Sequence, residues 1–280
     1  MTALDGYRIR SPRGTDAPSV AALMTVAERA DGIEEATSPA DVLDAWRRLD
    51  LDRDAWIVEE PGGAAAGYAD VTAIAEGTYR ADGYVDPALR GRGIGSTLVR
   101  LTETRALALA LAAGSPAQIY NAVPASNGAG RRLLEGSGYA LARRFLRMAT
   151  TLEQAPPPAA LPEGIVARAL DPSRDGPAVH AALEECFADH WDPVFVPYER
   201  WRVSHLEGES FDPELWVLAM NGDEIAGLAA CRVRYGRGFV DGLGVRRPWR
   251  RLGLGLALLH LAFAAFWRRG ERSGGFSADH

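Results

Sequence analysis

A chain of 280 residues, 47% of them hydrophobic, is long enough for two domains of ordinary size, each with its own core. The formal net charge of −6 argues against general nucleic-acid binding, which requires a basic surface. The first residues contain no apolar signal region, and the longest apolar run, residues 252–267, is too short to cross a membrane. Two cysteines do not make a disulfide framework, so we expect a cytoplasmic protein with no membrane or nucleic-acid partner.

The first half of the chain predicts alternating strands and helices, read from hydrophobic periodicity and from the residues that end each element. Asp16 is expected to cap the first helix, and Ser38 and Pro39 to start the second. Strands are expected at residues 7–10, 55–59, 64–72, 78–85, 117–123 and 140–151. Helices are expected at residues 17–30, 39–49, 94–113 and 127–135.

Residues 85–95, Val-Asp-Pro-Ala-Leu-Arg-Gly-Arg-Gly-Ile-Gly, connect an apolar strand to an amphipathic helix. The alternating glycines remove Cβ atoms that would keep a ligand away from the backbone. Backbone N–H groups at the start of a helix favour an anion such as a diphosphate. The stretch therefore predicts a phosphate-binding loop, and a glycine turn without a ligand is the alternative.

The same arrangement returns 160 residues later, where residues 245–255 repeat the loop and lead into another apolar helix. Trp216 matches Trp56, and Leu258 in the second helix matches Leu98 in the first. A constant offset across strand, loop and helix indicates a duplication, with two copies of one fold.

The pattern Arg90-x-x-Gly93-x-Gly95, preceded by Val85-x-Pro87, resembles the acetyl-CoA loop of the GNAT acetyltransferases. The resemblance implies an α/β (α+β) chain of two tandem GNAT-fold domains, each a mixed, mostly antiparallel sheet flanked by helices. It also implies acetyl-CoA as acyl donor, with its diphosphate held by the loop backbone. The implied contacts in the first copy are Tyr84, Val85, Arg90, Gly91, Arg92, Gly93, Ile94, Gly95, Ser96 and Asn127. In the second copy they are Val245, Arg250, Arg251, Leu252, Gly253, Leu254 and Gly255.

The repeat sets the domain limits at residues 1–153 for a complete first domain, 154–164 for a proline-rich linker and 165–280 for the second domain. Carrying the extent of the first copy over leaves the second incomplete at its C-terminus, without most of its fifth strand, the following helix and the last strands. Because an unpaired sheet edge invites another strand, a homodimer through the open edge of the second domain is one hypothesis.

Acetyl transfer needs a polarised thioester carbonyl, a route for the proton of the amine and a stabilised thiolate. The resemblance assigns the first task to backbone N–H groups near Tyr84 and Val85. Strand alternation places Asp241 on the face of Val245, which makes it a candidate base, the alternative being an ordinary solvated aspartate. Leu134 stands where the family pattern has a tyrosine that can protonate the thiolate, so turnover in the first copy is in question.

Two segments are candidates for the acceptor site, each with a plainer alternative. The acidic residues Asp31, Glu34 and Glu35 can attract an ammonium group or form a solvated turn. The aromatic segment at residues 187–201 can line a pocket for a cation or pack as core. Its rings include Trp191, Phe195, Tyr198 and Trp201. We expect no metal site, because the histidines lack cysteine or acidic partners at a ligand spacing.

These observations predict an acetyl-CoA-dependent N-acetyltransferase that acts on a primary amine of a small molecule, with acetyl-CoA bound mainly through the first loop. The alternative is an acyl-CoA-binding regulatory or structural module without turnover, which Leu134 and the shortened second copy favour. Amine-dependent release of the CoA thiol separates the two hypotheses.

Overall fold

The computed structural model describes residues 4, 6–34, 36–190, 196–207, 211–234 and 236–279 of the chain. The chain divides into two compact units, unit 1 (Met1–Leu141) and unit 2 (Ala142–His280). Each unit contains one mixed, mostly antiparallel sheet with helices packed against it, as the duplication predicts.

The described residues of unit 1 form five strands and five α-helices. The strands are β1 (Arg8–Arg10), β2 (Ala55–Glu59), β3 (Ala65–Ala75), β4 (Thr78–Val85) and β5 (Gln118–Tyr120). They form a sheet in sequential order, in which β4 and β5 run parallel and the other neighbours are antiparallel. The helices are α1 (Ala17–Ala30), α2 (Pro39–Trp46), α3 (Leu51–Asp54), α4 (Ile94–Ala113) and α5 (Gly128–Gly136).

Of the two helix caps predicted for unit 1, one forms a side-chain hydrogen bond to its helix. Ser38 Oγ accepts a hydrogen bond from the backbone N–H of Asp41 at 3.2 Å, and Pro39 occupies the first turn of α2, as predicted. The prediction for Asp16 is wrong, because its side chain makes no cap bond to α1. The Asp16 carboxylate instead pairs with Arg10 at 2.7 Å, which ties β1 to the start of the helix.

The sheet of unit 1 separates two apolar layers, because successive side chains of a strand point to opposite faces. Ile57 and Tyr68 pack with α1 and α2 on one face. Ala69 packs with Ile94 and Leu98 of α4 on the other. Val85, at the end of β4, packs in the same cluster as Ile94, at the start of α4.

Unit 2 repeats this architecture. Its helices are α6 (Gly176–Phe187), α7 (Tyr198–Leu206) and α8 (Leu254–Arg268). Its strands are β6 (Phe145–Thr151), β7 (Ile165–Ala169), β8 (Val217–Asn221), β9 (Glu224–Arg234), β10 (Arg237–Val245) and β11 (Ser273–Asp279). The sheet order is β6-β11-β10-β9-β8-β7, with β10 and β11 parallel.

The position of β6 differs from the prediction. It was expected to close the first domain, which was placed at residues 1–153, but the compact units divide after Leu141 and β6 pairs antiparallel with β11 along seven residues. The fifth strand of the second copy, expected to be mostly missing, is therefore formed, and both of its edges are paired. Pairing satisfies the backbone groups that an open edge would expose, so the edge invoked for a homodimer is covered by the same chain.

The core of unit 2 is built on α8. Leu254, Leu258 and Phe266 of this helix are at most 1% exposed and pack on β9 and β10. A second apolar layer between the sheet and α6 and α7 contains Trp201 and Trp216. Within the described residues, no helix combines the length and apolar character needed to cross a membrane.

Candidate active site

Two loops of matching backbone conformation lead into α4 and α8. In unit 1, Gly91 and Gly93 have φ values of 83° and 84°, and in unit 2, Arg251 and Gly253 have φ values of 65° and 83°. These values lie in the left-handed region, which glycine adopts freely and arginine adopts at a cost. In the described parts of both loops, no side chain caps the helix start, so its N–H groups remain available to an anion.

The other predicted loop residues lie around these two turns. Ile94 and Leu254 are the first residues of their helices and are buried, so they anchor the loops through packing. Arg92 contacts the hydroxyl of Tyr7 at 3.4 Å. Leu252 is 57% exposed, which leaves an apolar side chain at the surface of the second loop. The first helical turns contain Gly95, Ser96 and Gly255.

Arg90 and Asn127 meet at one carboxylate. Asp31 Oδ1 accepts from Arg90 Nη2 at 3.0 Å, and Asp31 Oδ2 accepts from Asn127 Nδ2 at 2.7 Å. Asn127 Oδ1 in turn accepts from the backbone N–H of Gly130 at 2.7 Å and caps α5. Asp31 is therefore neither a solvated acidic turn nor a free anion for an acceptor, because it fixes Arg90 next to the loop. Glu35, named with it above, lies outside the described residues.

Asp189 orients the second loop in a similar way. It accepts from Arg247 Nη2 at 2.5 Å and from Arg250 Nη1 at 3.1 Å. The hydrogen bond from Arg247, followed by the one from Arg250, lowers the pKa of Asp189. Arg250 Nε also donates to the carbonyl of Val245 at 3.0 Å, which links the end of β10 to the loop.

In both units the strand before the loop parts from the strand after the helix. β4 pairs with β5 at residues 78–80, and β10 pairs with β11 at residues 238–240. In the described part of the chain, residues 81–85 and 241–245 have no strand partner on that side. Their backbone groups, including those of Tyr84, Val85 and Val245, can thus pair with an extended ligand or point a donor at its carbonyl.

The two copies differ in the strand that leads to the loop. The register of β10 against β9 shifts between Val240 and Gly242, so Asp241 stands in a β-bulge. In β4 the matching residue, Ala81, pairs regularly with Val71. A bulge redirects side chains, and it turns Asp241 away from the α8 face to which plain alternation assigns it. The candidate base predicted from sequence therefore faces α6 and α7 instead.

A cavity of about 250 Å³ lies on that face of unit 2. Its described walls include the aromatic rings of Phe187, Trp201 and Trp216. Tyr198 packs against Trp201 with ring centroids 6.1 Å apart. Of the aromatic segment, Trp201 thus serves as both core and pocket wall, whereas Trp191 and Phe195 lie outside the described residues.

Charged groups line the same cavity. Asp241 forms an ion pair with Arg232, and both side chains border the cavity. Glu184 on α6 also borders it, with its Oε1 atom 3.5 Å from Nε2 of His180. His180 Nε2 lies 2.8 Å from the carbonyl of Val196, so this nitrogen carries the proton and donates it there. Neither Glu184 nor Arg232 was predicted, because contacts across a sheet and two helices leave no pattern in the sequence.

Unit 1 contains large polar side chains on the equivalent face. Trp46 Nε1 donates to the hydroxyl of Tyr68 at 2.8 Å, and that hydroxyl donates to Asp70 Oδ2 at 2.8 Å. Burial, assisted by the charge of Asp82, raises the pKa of the Asp70 carboxyl to about 7. Burial also raises the pKa of the Tyr84 hydroxyl.

The same positions of unit 2 hold smaller side chains. The residues 160 positions after Tyr68, Asp70 and Tyr84 are Leu228, Ala230 and Gly244. Ala230 is a wall of the cavity, at the position that the carboxylate of Asp70 occupies in unit 1. Where unit 2 has small or apolar side chains beside a cavity, unit 1 thus has hydrogen-bonded polar side chains.

The end of unit 1 provides no replacement for the missing family tyrosine at position 134. Leu134 is half-buried in α5. The hydroxyl of Ser137 donates to the carbonyl of Leu133 at 2.9 Å and is used locally. Burial, assisted by the charge of Glu103, raises the pKa of the Tyr139 hydroxyl to about 12. Among the described residues, no group of three or more His, Cys, Asp or Glu side chains is arranged to hold a metal ion.

Comparison with known proteins places the fold in a family. The model of the Acetyltransferase (GNAT) family matches residues 20–139 and 177–273. The mycothiol acetyltransferase of Kineococcus radiotolerans is 31% identical over 268 residues, covering 91% of this chain and 82% of that protein. The mycothiol acetyltransferase of Cellulomonas flavigena is 30% identical over 231 residues, covering 76% of this chain but only 63% of that protein, less than two thirds of its length.

Solved structures agree with this assignment. A GCN5-related N-acetyltransferase from Sphaerobacter thermophilus is 37% identical, with a TM-score of 0.85, and covers 99% of this chain and 87% of that chain. A tandem GNAT protein from the clavulanic acid biosynthesis pathway shares the fold at 18% identity, with a TM-score of 0.69 and coverage of 97% and 90%. The two family matches fall on the two repeats found in the sequence, which confirms the tandem interpretation. The chain therefore belongs to the GNAT acetyltransferase family and carries two copies of its fold.

Proposed function

We propose that this chain transfers an acetyl group from acetyl-CoA to a primary amine of a small molecule, and that the transfer takes place in unit 2. The observation that carries the proposal is the cavity of about 250 Å³ beside Asp241, on the strand that leads into the second glycine loop. Membership of an acetyltransferase family and the names of the relatives support the same reaction class.

The residues of unit 2 fit acetyl-CoA, which when bound supplies an acetyl group activated as a thioester. The left-handed turn at Arg251 and Gly253 presents the uncapped N-terminus of α8, which favours the diphosphate. Residues 241–245 offer an unpaired strand edge to the extended arm of the donor. A backbone N–H of this edge that faces the developing oxyanion contributes about 3 kcal/mol to transition-state stabilisation.

Asp241 is the group that receives the proton of the amine. The bulge places its carboxylate in the cavity, and the ion pair with Arg232 holds it there. A carboxylate at this point takes the proton of the acceptor amine, directly or through water, as the nitrogen becomes nucleophilic. A positioned base of this kind contributes about a hundredfold to ten-thousandfold to the rate.

Unit 1 supports the second candidate function, an acyl-CoA-binding module without turnover. Its loop has the backbone conformation of the second one, so the diphosphate cradle is kept. The hydrogen-bonded chain from Trp46 through Tyr68 to Asp70 occupies the acceptor volume. We therefore assign CoA binding to both units and turnover to unit 2.

Loop variants test this division of tasks. Gly253→Glu places a carboxylate and a side chain with a Cβ in the diphosphate cradle of unit 2, and Gly93→Glu does the same in unit 1. We expect calorimetry of the full chain to give two CoA sites, and one in each variant. Amine-dependent thiol release should disappear with Gly253→Glu and persist with Gly93→Glu. Loss with Gly93→Glu but not with Gly253→Glu would place the transfer in unit 1 and refute the proposal.

The same titration tests the prediction that acetyl-CoA binds mainly through the first loop. If the stronger of two binding phases disappears with Gly93→Glu, that prediction holds, because the first loop then has the higher affinity. If it disappears with Gly253→Glu, the second loop is the main site. If no amine in a broad panel releases thiol while both sites bind CoA, the chain is a binding module.

A further inference from the structure

We infer that the cavity of unit 2 selects a monocationic amine on a flat, apolar body, such as an aromatic ring joined to the ammonium by a short chain. The inference rests on the proposed function for the fate of the amine, but it concerns the binding step, which can be measured without turnover. Three features of the cavity carry it: its size, its walls and its charge.

The size fits one ring and a short chain. A closed cavity of about 150 Å³ lined by apolar side chains binds benzene. The cavity of unit 2, at about 250 Å³, has room for a ring and a few further atoms. It is smaller than most sites for drug-sized ligands, which start at about 300 Å³.

The walls are mainly apolar. Phe187, Trp201 and Trp216 supply aromatic surfaces, and Leu183, Val196 and Ala230 supply aliphatic ones. Trp201 is fixed by its neighbours, with the His205 ring stacked on it at a centroid distance of 5.1 Å and an interplanar angle of 15°. Rigid aromatic walls favour a flat apolar body, because stacking adds about 0.5–1.5 kcal/mol to the burial of its surface.

The charge of the cavity is matched to one ammonium group. The ionisable side chains on its described walls are His180, Glu184, His205, Arg232 and Asp241. Arg232 neutralises Asp241 through their ion pair. The histidines are committed to carbonyls, His180 to Val196 and His205 to Trp201. Among the described walls, Glu184 is the carboxylate that no arginine pairs with, so it leaves one negative charge for the ligand. Counted from the matching prolines Pro18 and Pro177 at the starts of α1 and α6, the equivalent position of unit 1 is Thr25, so this charge is particular to unit 2.

A hydroxyl-rich acceptor such as an amino sugar fits these walls poorly. Each hydroxyl that enters loses its water, and the committed polar groups offer it few new partners. An unsatisfied buried hydroxyl costs about 1–3 kcal/mol, so two such groups would outweigh the attraction of the ammonium. An apolar body has no such penalty and gains from leaving water.

The test uses the full chain and three probes: phenethylamine, phenethyl alcohol, which has the same body without the charge, and glucosamine, which has the charge without the apolar body. Binding is followed by tryptophan fluorescence and by calorimetry. We expect phenethylamine to bind at least about tenfold more tightly than either of the others, a difference of about 1.4 kcal/mol.

Variants locate the site. Glu184→Gln should weaken phenethylamine about tenfold and leave phenethyl alcohol unchanged, since the side chain keeps its shape and loses its charge. Glu199→Gln is the matched control, because that glutamate lies on the exposed surface of α7 and pairs with Arg202. Ala230→Leu should weaken both phenethyl probes by filling the cavity. If Ala230→Leu does not fold, the comparison of Glu184→Gln with the alcohol still decides.

The outcomes separate this inference from the proposed function. The inference is overturned if glucosamine is bound or acetylated preferentially, or if Glu184→Gln has no effect on phenethylamine binding. The acetyltransferase proposal is then tested by thiol release alone. Selective, Glu184-dependent binding of phenethylamine without thiol release from any amine supports the inference and refutes turnover.

Discussion

Replacing Asp70 by asparagine should remove a pH dependence from the stability of unit 1. Asp70 is buried, and desolvation raises the pKa of its carboxyl from 3.8 to about 7. This value already includes the charges of Asp82 and Asp54, which contribute to the rise, and the hydrogen bond from Tyr68 and the charge of Arg80, which oppose it. Asparagine has the size of the protonated acid and retains an oxygen for the tyrosine hydroxyl.

Proton linkage gives the direction and the size of the change in the stability of unit 1 with pH. The folded chain binds this proton more tightly than the unfolded chain, so the stabilisation is complete below about pH 4 and is lost as the pH rises towards about 7. One pKa unit corresponds to about 1.4 kcal/mol and the loss levels off near the folded-state pKa, so raising the pH from about 5.5 to 7.5 should destabilise unit 1 by about 2 kcal/mol. That loss corresponds to an increase of about thirtyfold in the population of the opened state.

Hydrogen exchange of the full chain, followed by mass spectrometry on peptides from β2 and β3, measures this opening locally. Comparing variant and wild type at each pH cancels the intrinsic chemistry of exchange. We expect the ratio of their protection factors to change about thirtyfold between about pH 5.5 and 7.5, in favour of asparagine at high pH. Asp52→Asn, on the exposed surface of α3, should show no such change. Equal pH dependence in wild type and Asp70→Asn would refute the reasoning.

Three further substitutions test the loops and the base. Arg251→Gly should stabilise unit 2 by up to about 1 kcal/mol, because it relieves the left-handed backbone of an arginine at the position where unit 1 has Gly91. The entropy that glycine adds to the unfolded chain offsets part of this gain. A lower melting temperature of the variant would contradict this. Asp241→Asn should lower kcat about a hundredfold or more with CoA affinity unchanged in calorimetry, and an unchanged kcat would remove it as the base. Asp31→Ala should release Arg90 and weaken CoA at unit 1 but not at unit 2, and equal weakening at both sites would show that the effect is not local.

Much of the fold could be predicted because its signals are local. The Ser38 cap, the glycines of the loops and the apolar periodicity of α4 and α8 each act within a few residues of one another. The repeat then supported these predictions, since the strand, the loop and the helix around each glycine turn have counterparts in the other copy. The placement of β6 was missed because strand pairing between residues 145–151 and 273–279 is not local, and the repeat alone assigns that strand to its own copy.

The candidate site was predicted less completely, and for one reason in particular. Alternation along β10 identified Asp241 but assigned it to the face that packs on α8. The bulge between Val240 and Gly242 turns it to the other face, and such an irregularity depends on how two strands settle against each other. Glu184 and Arg232 could not be found at all without knowing which helix covers that face.

The differences between the two copies suit the proposed division, in which both units bind CoA and unit 2 transfers the acetyl group. Both loops keep one backbone conformation, which even Arg251 adopts, and in the proposed function this backbone, rather than its side chains, forms the anion cradle. The acceptor face has no such backbone requirement, so its side chains are free to diverge. In unit 1 that face is filled by Tyr68 and Asp70. The carboxyl group of Asp70 is buried there, and burial raises its pKa to about 7 and so favours the protonated form. In unit 2 the same positions became small, and a strand bulge brought a carboxylate to the opening. Under the proposed division of tasks, CoA binding and acetyl transfer are therefore carried by different atoms of the same scaffold.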